Sequence, residues 1–165
     1  MLRIPPMFLM SGGLVAQALA PASPGGPRWW QWCLSLPIAL AGLALLFGSS
    51  MRFYRAGVSA NPVDVERPRA LVRDGVYRLT RNPMYVGLAG ALLAHAIARR
   101  SPSAVIPLIG FVWLIDRYQI PAEEKALEAR FGQAYLDYKK AVPRWLGTRG
   151  ASMDDPGREL TMRDA

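Results

Sequence analysis

The stretch WWQWCLSLPIALAGLALLFGSS, Trp29 to Ser50, runs for 22 residues without a charged side chain. As a helix rising about 1.5 Å per residue it is about 33 Å long, enough to cross a hydrocarbon layer of about 30 Å. In a chain of 165 residues such a run points to an integral membrane protein. Trp29, Trp30 and Trp32 at its start carry the amphipathic rings that gather at a membrane–water interface.

Three other apolar runs surround it. Ile4 to Ala20 is uncharged, and so are Pro83 to Ala98 and Ser101 to Ile115, which are separated only by Arg99-Arg100 and read as a tight helical hairpin. A 16-residue helix reaches only about 24 Å, so both arms must extend into flanking polar residues or thin the bilayer. The first run also fits a signal peptide, with Arg3 ahead of it and Ala18-Leu19-Ala20 before Pro21 as a small-residue cleavage site. Cleavage there would leave three spans. With the run retained, the expected fold is an all-α integral membrane protein of about four transmembrane helices followed by a C-terminal cytoplasmic amphipathic helix.

The charges support this layout. Of 20 Lys and Arg residues, seven lie between Arg52 and Arg81 and nine from Arg117 onward. Four spans put both segments on one side, and the positive-inside rule makes that side, with both termini, cytoplasmic. The expected location is a bacterial inner membrane. A net charge of +8 by itself suits nucleic acid, but basic residues interleaved with long apolar runs indicate membrane loops, so no nucleic-acid partner is expected. At 52% hydrophobic and 19% charged residues, disorder of the whole chain is excluded. Only 148–165, polar and rich in Gly, Pro and Asp, reads as a disordered tail; residues 1–147 read as one domain.

Cys33 is the single cysteine and His95 the single histidine. No intramolecular disulfide can form, no four-ligand Cys/His zinc site can be assembled, and a catalytic triad would depend entirely on His95. No metal is expected. His95, near the outer turn of the hairpin, reads as a packing histidine, and Cys33 as apolar filler.

Two segments look chemical. Glu66 to Gly87, ERPRALVRDGVYRLTRNPMYVG, is too polar to span and too patterned for a linker. Asp74-Gly75 signals a turn, and Asn82-Pro83 opens a helix with Asn82 as N-cap. The plain reading makes this a basic juxtamembrane loop, with Arg67, Arg69, Arg73, Arg78 and Arg81 on lipid phosphates and Tyr77 and Tyr85 as interface anchors. In the second segment, Leu127, Phe131, Tyr135 and Tyr138 recur at helical spacing and define one face of an amphipathic helix on the cytoplasmic interface. Glu123 and Glu124 behind Pro121 are either first-turn acids favoured by the helix dipole or carboxylates that hold a ribose hydroxyl or an ammonium group. Asp116, near the cytoplasmic end of the last span, is an intramembrane acid, read either as a functional candidate or as simply paired with Arg117 or the interface.

Taken in order, these segments resemble the isoprenylcysteine carboxyl methyltransferase and phospholipid methyltransferase family of integral membrane enzymes. The resemblance rests on Ala70-Leu71-Val72, Gly75-Val76-Tyr77, Arg81-Asn82-Pro83-Met84-Tyr85-Val86-Gly87, the hairpin, Glu123-Glu124 with Leu127, Phe131-Gly132 with Tyr135 and Tyr138, and Val142-Pro143-Arg144. It covers residues 66–146, about half the chain. The resemblance implies S-adenosyl-L-methionine as methyl donor, bound outside any Rossmann-type fold between the pre-hairpin segment and the acidic helix. Cofactor contacts then fall on Leu71, Val72, Tyr77, Asn82, Pro83, Met84, Tyr85 and Glu123, with Glu124 orienting or substituting for its neighbour.

Two positions depart from the carboxyl methyltransferases. Asn82 stands where His is common, and it hydrogen-bonds without titrating near neutral pH. Gln119 stands where an Arg suited to a substrate carboxylate is found, which weighs against prenylcysteine carboxylate as acceptor. Arg117 is the candidate to supply that missing charge, and Arg81 the candidate to pair with an anionic substrate or the cofactor carboxylate. The reaction implied is in-line displacement at an activated sulfonium methyl, in which the protein aligns the acceptor and excludes water. The acceptor expected is a lipophilic small molecule or lipid, a carboxylate, an amine or a thiol, entering from the bilayer. The rival readings are an NADPH-dependent membrane reductase related to the sterol reductases, and a non-enzymatic adaptor whose basic loops bind anionic lipids.

Overall fold

The computed structural model describes residues 5–21, 28–55 and 71–147, and these are all-helical, with no strand among them. Six α-helices follow in order: α1 (Pro6–Leu19), α2 (Trp29–Arg55), α3 (Pro83–Arg99), α4 (Val105–Leu114), α5 (Ile120–Phe131) and α6 (Gln133–Ala141). Arg67, Arg69, Ala70 and the polar tail lie outside the described residues.

Two helical stretches are long and apolar enough to cross a membrane: Trp29–Arg52 within α2, and Pro102–Phe131, which joins α4 to α5. The second differs from the sequence reading, which ended the hairpin arm at Ile115 and began a separate amphipathic helix beyond Gln119. The two are continuous through a π turn at Ile115–Gln119. Proline in a helix interior lacks an N–H and clashes with the preceding turn; a widened turn just before Pro121 removes the conflict, leaving Pro121 in the first turn of α5.

The break comes eleven residues after Pro121. Gly132 adopts φ +52, ψ −127, outside helical space, and separates α5 from α6. A side chain resists that backbone; glycine does not. The single amphipathic helix expected through Leu127, Phe131, Tyr135 and Tyr138 is therefore two helices, folded so that Tyr135 and Tyr138 are buried with Tyr77 and Val142.

α2 and α3 run antiparallel in close contact. Gln31 Nε2 donates to the Ile97 carbonyl at one end, and Gly48 lies against Val76 at the other. Between them Gly42 and Gly87 face each other so closely that a Cβ on Gly87 would sit 2.7 Å from the Gly42 carbonyl oxygen. The hairpin turn, with Arg100 in the left-handed region, shares its end of the molecule with the end of α1. There Arg99 donates to the Ala20 carbonyl and Ser101 to that of Pro21. Leu36, Leu40, Leu43 and Phe47 form an exposed apolar stripe along α2, and Ile106, Ile109 and Trp113 another along α4. Stripes of that extent suit a lipid environment.

α1 is tied into this arrangement by a fully buried polar side chain. Gln17 Nε2 donates to the carbonyls of Leu92 at 3.0 Å and Ala104 at 2.8 Å, which leaves Oε1 to accept from His95 Nδ1 at 2.8 Å. A buried amide with its hydrogen-bonding capacity met fixes helix register. His95 thus packs as expected, whereas Cys33 is exposed on α2 rather than filling the interior.

Candidate functional site

The end of the helices opposite the hairpin turn collects both chemical segments. Asp74 forms an ion pair with Arg52 at the end of α2, and Gly75, at φ +59, starts a single 3-10 turn, Gly75–Arg78. That turn buries Tyr77 against Tyr135, Tyr138 and Val142, with Leu71 and Val72 packed on the same cluster. Tyr138 donates its hydroxyl to the Tyr77 carbonyl at 2.8 Å.

Tyr85 follows in the first turn of α3, also buried. Its hydroxyl donates to Glu123 Oε1 at 2.5 Å, and Gln119 Nε2 donates to the same oxygen at 2.8 Å. Tyr77 belongs to this neighbourhood. Its phenol is pushed above the ordinary tyrosine range chiefly by burial, then by Tyr138 and by the Glu123 carboxylate. Tyr85 and Gln119, from two different local structures, thus meet on the Glu123 carboxylate, whose charge is also felt at Tyr77. The interface-anchor reading of Tyr77 and Tyr85 is overturned, since each retains less than a tenth of its exposure.

Beside this group lies a network of ion pairs. Glu124 is buried and accepts from Arg81 Nη1 at 2.9 Å, from Arg144 Nε at 3.1 Å and from Arg144 Nη2 at 2.9 Å. The Arg144 fork also reaches Asp116 at 3.2 Å, and Trp145 Nε1 donates to the same Asp116 oxygen at 2.8 Å. Asp116 therefore pairs with Arg144 rather than Arg117. On the main chain, the Arg81 N–H donates to the Pro143 carbonyl, while Thr80 Oγ1 and Asn82 Nδ2 donate to the Arg144 carbonyl. Asn82 precedes α3 as expected, but its side chain makes no capping bond, being committed to Arg144.

The sequence-derived site residues distribute unevenly over this geometry. Arg81 and Glu124 pair with each other, and Pro83 is buried at the start of α3 with Met84 half-buried beside it. Gln119 is half-buried and faces Glu123, whereas Arg117 is exposed. Arg144 and Trp145 carried no site role in the sequence reading, and Asp116 was read with Arg117 or the interface rather than with them. The Val142-Pro143-Arg144 motif was the available signal, but spacing alone cannot show what an arginine 20 residues away from a glutamate will meet.

The donor set has the chemistry that S-adenosylmethionine requires. Glu123 offers a carboxylate that could take hydroxyl or ammonium groups, Leu71, Val72 and Tyr77 form an apolar and aromatic cluster that could border a purine, and the Arg81 side chain keeps a buried Nε with no hydrogen-bond partner among the described residues. An orphaned guanidinium donor in a buried site suits an anionic ligand group.

The family model for phospholipid methyltransferases matches residues 32–134. Among curated proteins, the chain is 27% identical over 115 residues to protein-S-isoprenylcysteine O-methyltransferase A of Arabidopsis thaliana, covering 70% of this chain and 58% of that protein. It is 33% identical over 116 residues to the protein-S-isoprenylcysteine O-methyltransferase of Rattus norvegicus, covering 66% and 41%. For the Homo sapiens protein of the same name the identity is 32% over 110 residues, covering 63% and 39%. The chain thus spans between about two fifths and three fifths of the length of these relatives. No solved structure matches it at comparable significance.

Proposed function

We propose, because this chain belongs to the phospholipid methyltransferase family, that it is a membrane-embedded methyltransferase using S-adenosyl-L-methionine and acting on a lipophilic acceptor at the cytoplasmic interface. The observation that carries the reading is the convergence of Tyr85 and Gln119 on Glu123, one residue from the Glu124 that pairs with the buried Arg81 side chain. Residues 1–147 form the methyltransferase domain in this reading. α1, α2, α3 and the α4–α5 helix cross the membrane, with both basic segments and both termini in the cytoplasm of a bacterial cell.

Bound S-adenosylmethionine supplies an activated methyl group, so the protein's own part is binding, alignment and exclusion of water. Glu123 holds hydroxyl or ammonium groups of the cofactor, with Tyr85 and Gln119 fixing its carboxylate in one orientation. Leu71, Val72, Tyr77, Pro83 and Met84 shape the apolar wall. Arg81 takes the cofactor carboxylate through its uncommitted Nε, and Asn82 stays on Arg144, ordering the segment that carries these groups. Glu124 acts on Arg81 by holding its guanidinium in place.

For the acceptor, Gln119 presents an amide where a carboxylate ligand would call for a cation. Arg144 is already matched by Glu124 and Asp116, and Arg81 is taken up by Glu124 and, in this reading, by the cofactor carboxylate. A neutral or cationic acceptor, a lipophilic amine or thiol, is favoured over a carboxylate. The test is transfer of labelled methyl from S-adenosylmethionine to a prenylcysteine carboxylate, phosphatidylethanolamine and a long-chain thiol by the detergent-purified protein. Label on the amine or thiol supports the reading, label on the carboxylate corrects the acceptor, and no label on any of the three counts against methyl transfer to these classes.

A further inference from the structure

The last described turn of the chain is held from two directions. The Arg144 guanidinium is bidentate to Glu124 of α5 and reaches Asp116 of the π turn, while its carbonyl accepts from Thr80 and Asn82 of the pre-hairpin segment. Thr80 is fully buried, so these main-chain bonds form away from water. Arg81 makes the reciprocal link, its side chain on Glu124 and its backbone N–H on the Pro143 carbonyl. Trp145 completes the arrangement by donating to Asp116 and packing on the core that holds Tyr85 and Ile120.

On the S-adenosylmethionine reading above, we propose that Pro143–Trp145 is a clasp and Arg144 a positioning residue that sets the spacing between the pre-hairpin segment and the acidic helix, and so forms the cofactor site. The physical reason lies in the fork. A planar guanidinium can satisfy two carboxylates on successive helical segments at once, and it fixes their separation as it does so. Glu124 is shared between Arg144 and Arg81, so a displaced Arg144 changes where the Arg81 fork sits. The site is thereby coupled to a segment that hydrogen-bonds Asn82 and Arg81 and packs on the core around Tyr85.

The test separates positioning from bulk stability. Arg144→Gln removes the fork but keeps the carbonyl that binds Thr80 and Asn82, and Glu124 keeps Arg81 and Lys139 as partners. S-adenosylhomocysteine affinity, measured well below the unfolding temperature, is expected to fall about tenfold or more, the scale of a lost charge-assisted hydrogen bond. Helical content by circular dichroism should stay unchanged. Arg144→Lys should recover only part of the affinity, since a point charge cannot bridge both acids. Asp116→Asn, the milder variant, should weaken binding alone and add little on top of Arg144→Gln, because both act through one contact. Full affinity in Arg144→Gln or Asp116→Asn, with or without a lower unfolding temperature, overturns the clasp while leaving the methyltransferase reading intact. Failure of the unsubstituted protein to bind S-adenosylhomocysteine overturns both.

Discussion

Tyr85 Oη and Glu123 Oε1 lie 2.5 Å apart although 38 residues, including the whole hairpin, separate them in sequence. The hairpin is what makes this contact: α3 leaves the site, the turn at Arg100-Ser101 reverses the chain, and the α4–α5 helix returns to within hydrogen-bond reach of where α3 began. A carboxylate that accepts from a buried phenol and from Gln119 is fixed in orientation before any ligand arrives.

Tyr85→Phe tests that preorganisation. The ring and its packing remain while one donor to Glu123 is lost, so the expected result is roughly a tenfold weaker affinity for S-adenosylhomocysteine with a nearly unchanged unfolding temperature. Calorimetric titration of the two proteins side by side makes the comparison. Equal affinities would show that the phenol does not order the carboxylate.

Gln119→Arg is expected to move acceptor preference toward carboxylates, because it places a guanidinium beside Glu123 without a second acid to neutralise it. The readout is the ratio of methyl transfer to a prenylcysteine carboxylate over transfer to a lipophilic amine. A ratio equal to that of the unsubstituted protein would remove Gln119 from acceptor selection.

The helix crossing rests on Gly42 and Gly87. Gly87→Ala puts a methyl group 2.7 Å from the Gly42 carbonyl oxygen and 2.8 Å from Leu46, and backbone cannot yield as a side-chain tip does. The expected loss is about 1–3 kcal/mol, seen as a lower midpoint of thermal unfolding in detergent. Gly110→Ala, with open space around the new methyl, should leave that midpoint within error.

The tyrosine cluster sets an alkaline limit. Burial raises the Tyr77 and Tyr138 phenols above the usual value of about 10 in the folded protein. A group whose pKa is raised on folding adds stability that is fully present below its unfolded pKa and is lost as pH climbs toward its folded one. Stability from this cluster should therefore hold up to about pH 10 and decline above it. Tyr77→Phe should flatten the decline; an unfolding midpoint with the same pH profile in both proteins would count against the buried phenol as its cause.

Much of the helical layout was legible because hydrocarbon thickness and charge exclusion act on local sequence. Trp29 to Ser50 declares a span on its own, and Arg99-Arg100 between two apolar runs declares a turn. The motif order likewise pointed to the two segments that meet around Glu123. What the sequence hid were effects that need three dimensions. Pro121 reads as a helix start, yet the π turn before it lets the helix continue; Gly132, which stood only as one member of the motif series, ends it through its positive φ. The partners of Asp116 and Asn82 were missed for the same reason, since Arg144 lies 28 and 62 residues away from them.

The most direct test is calorimetric titration of S-adenosylhomocysteine into the detergent-purified protein, with Glu123→Ala as site control and NADPH as competing ligand. The account predicts micromolar binding of S-adenosylhomocysteine, loss of that binding in Glu123→Ala with the helices still folded, and no binding of NADPH. Binding of NADPH alone, or S-adenosylhomocysteine affinity indifferent to Glu123, would contradict it.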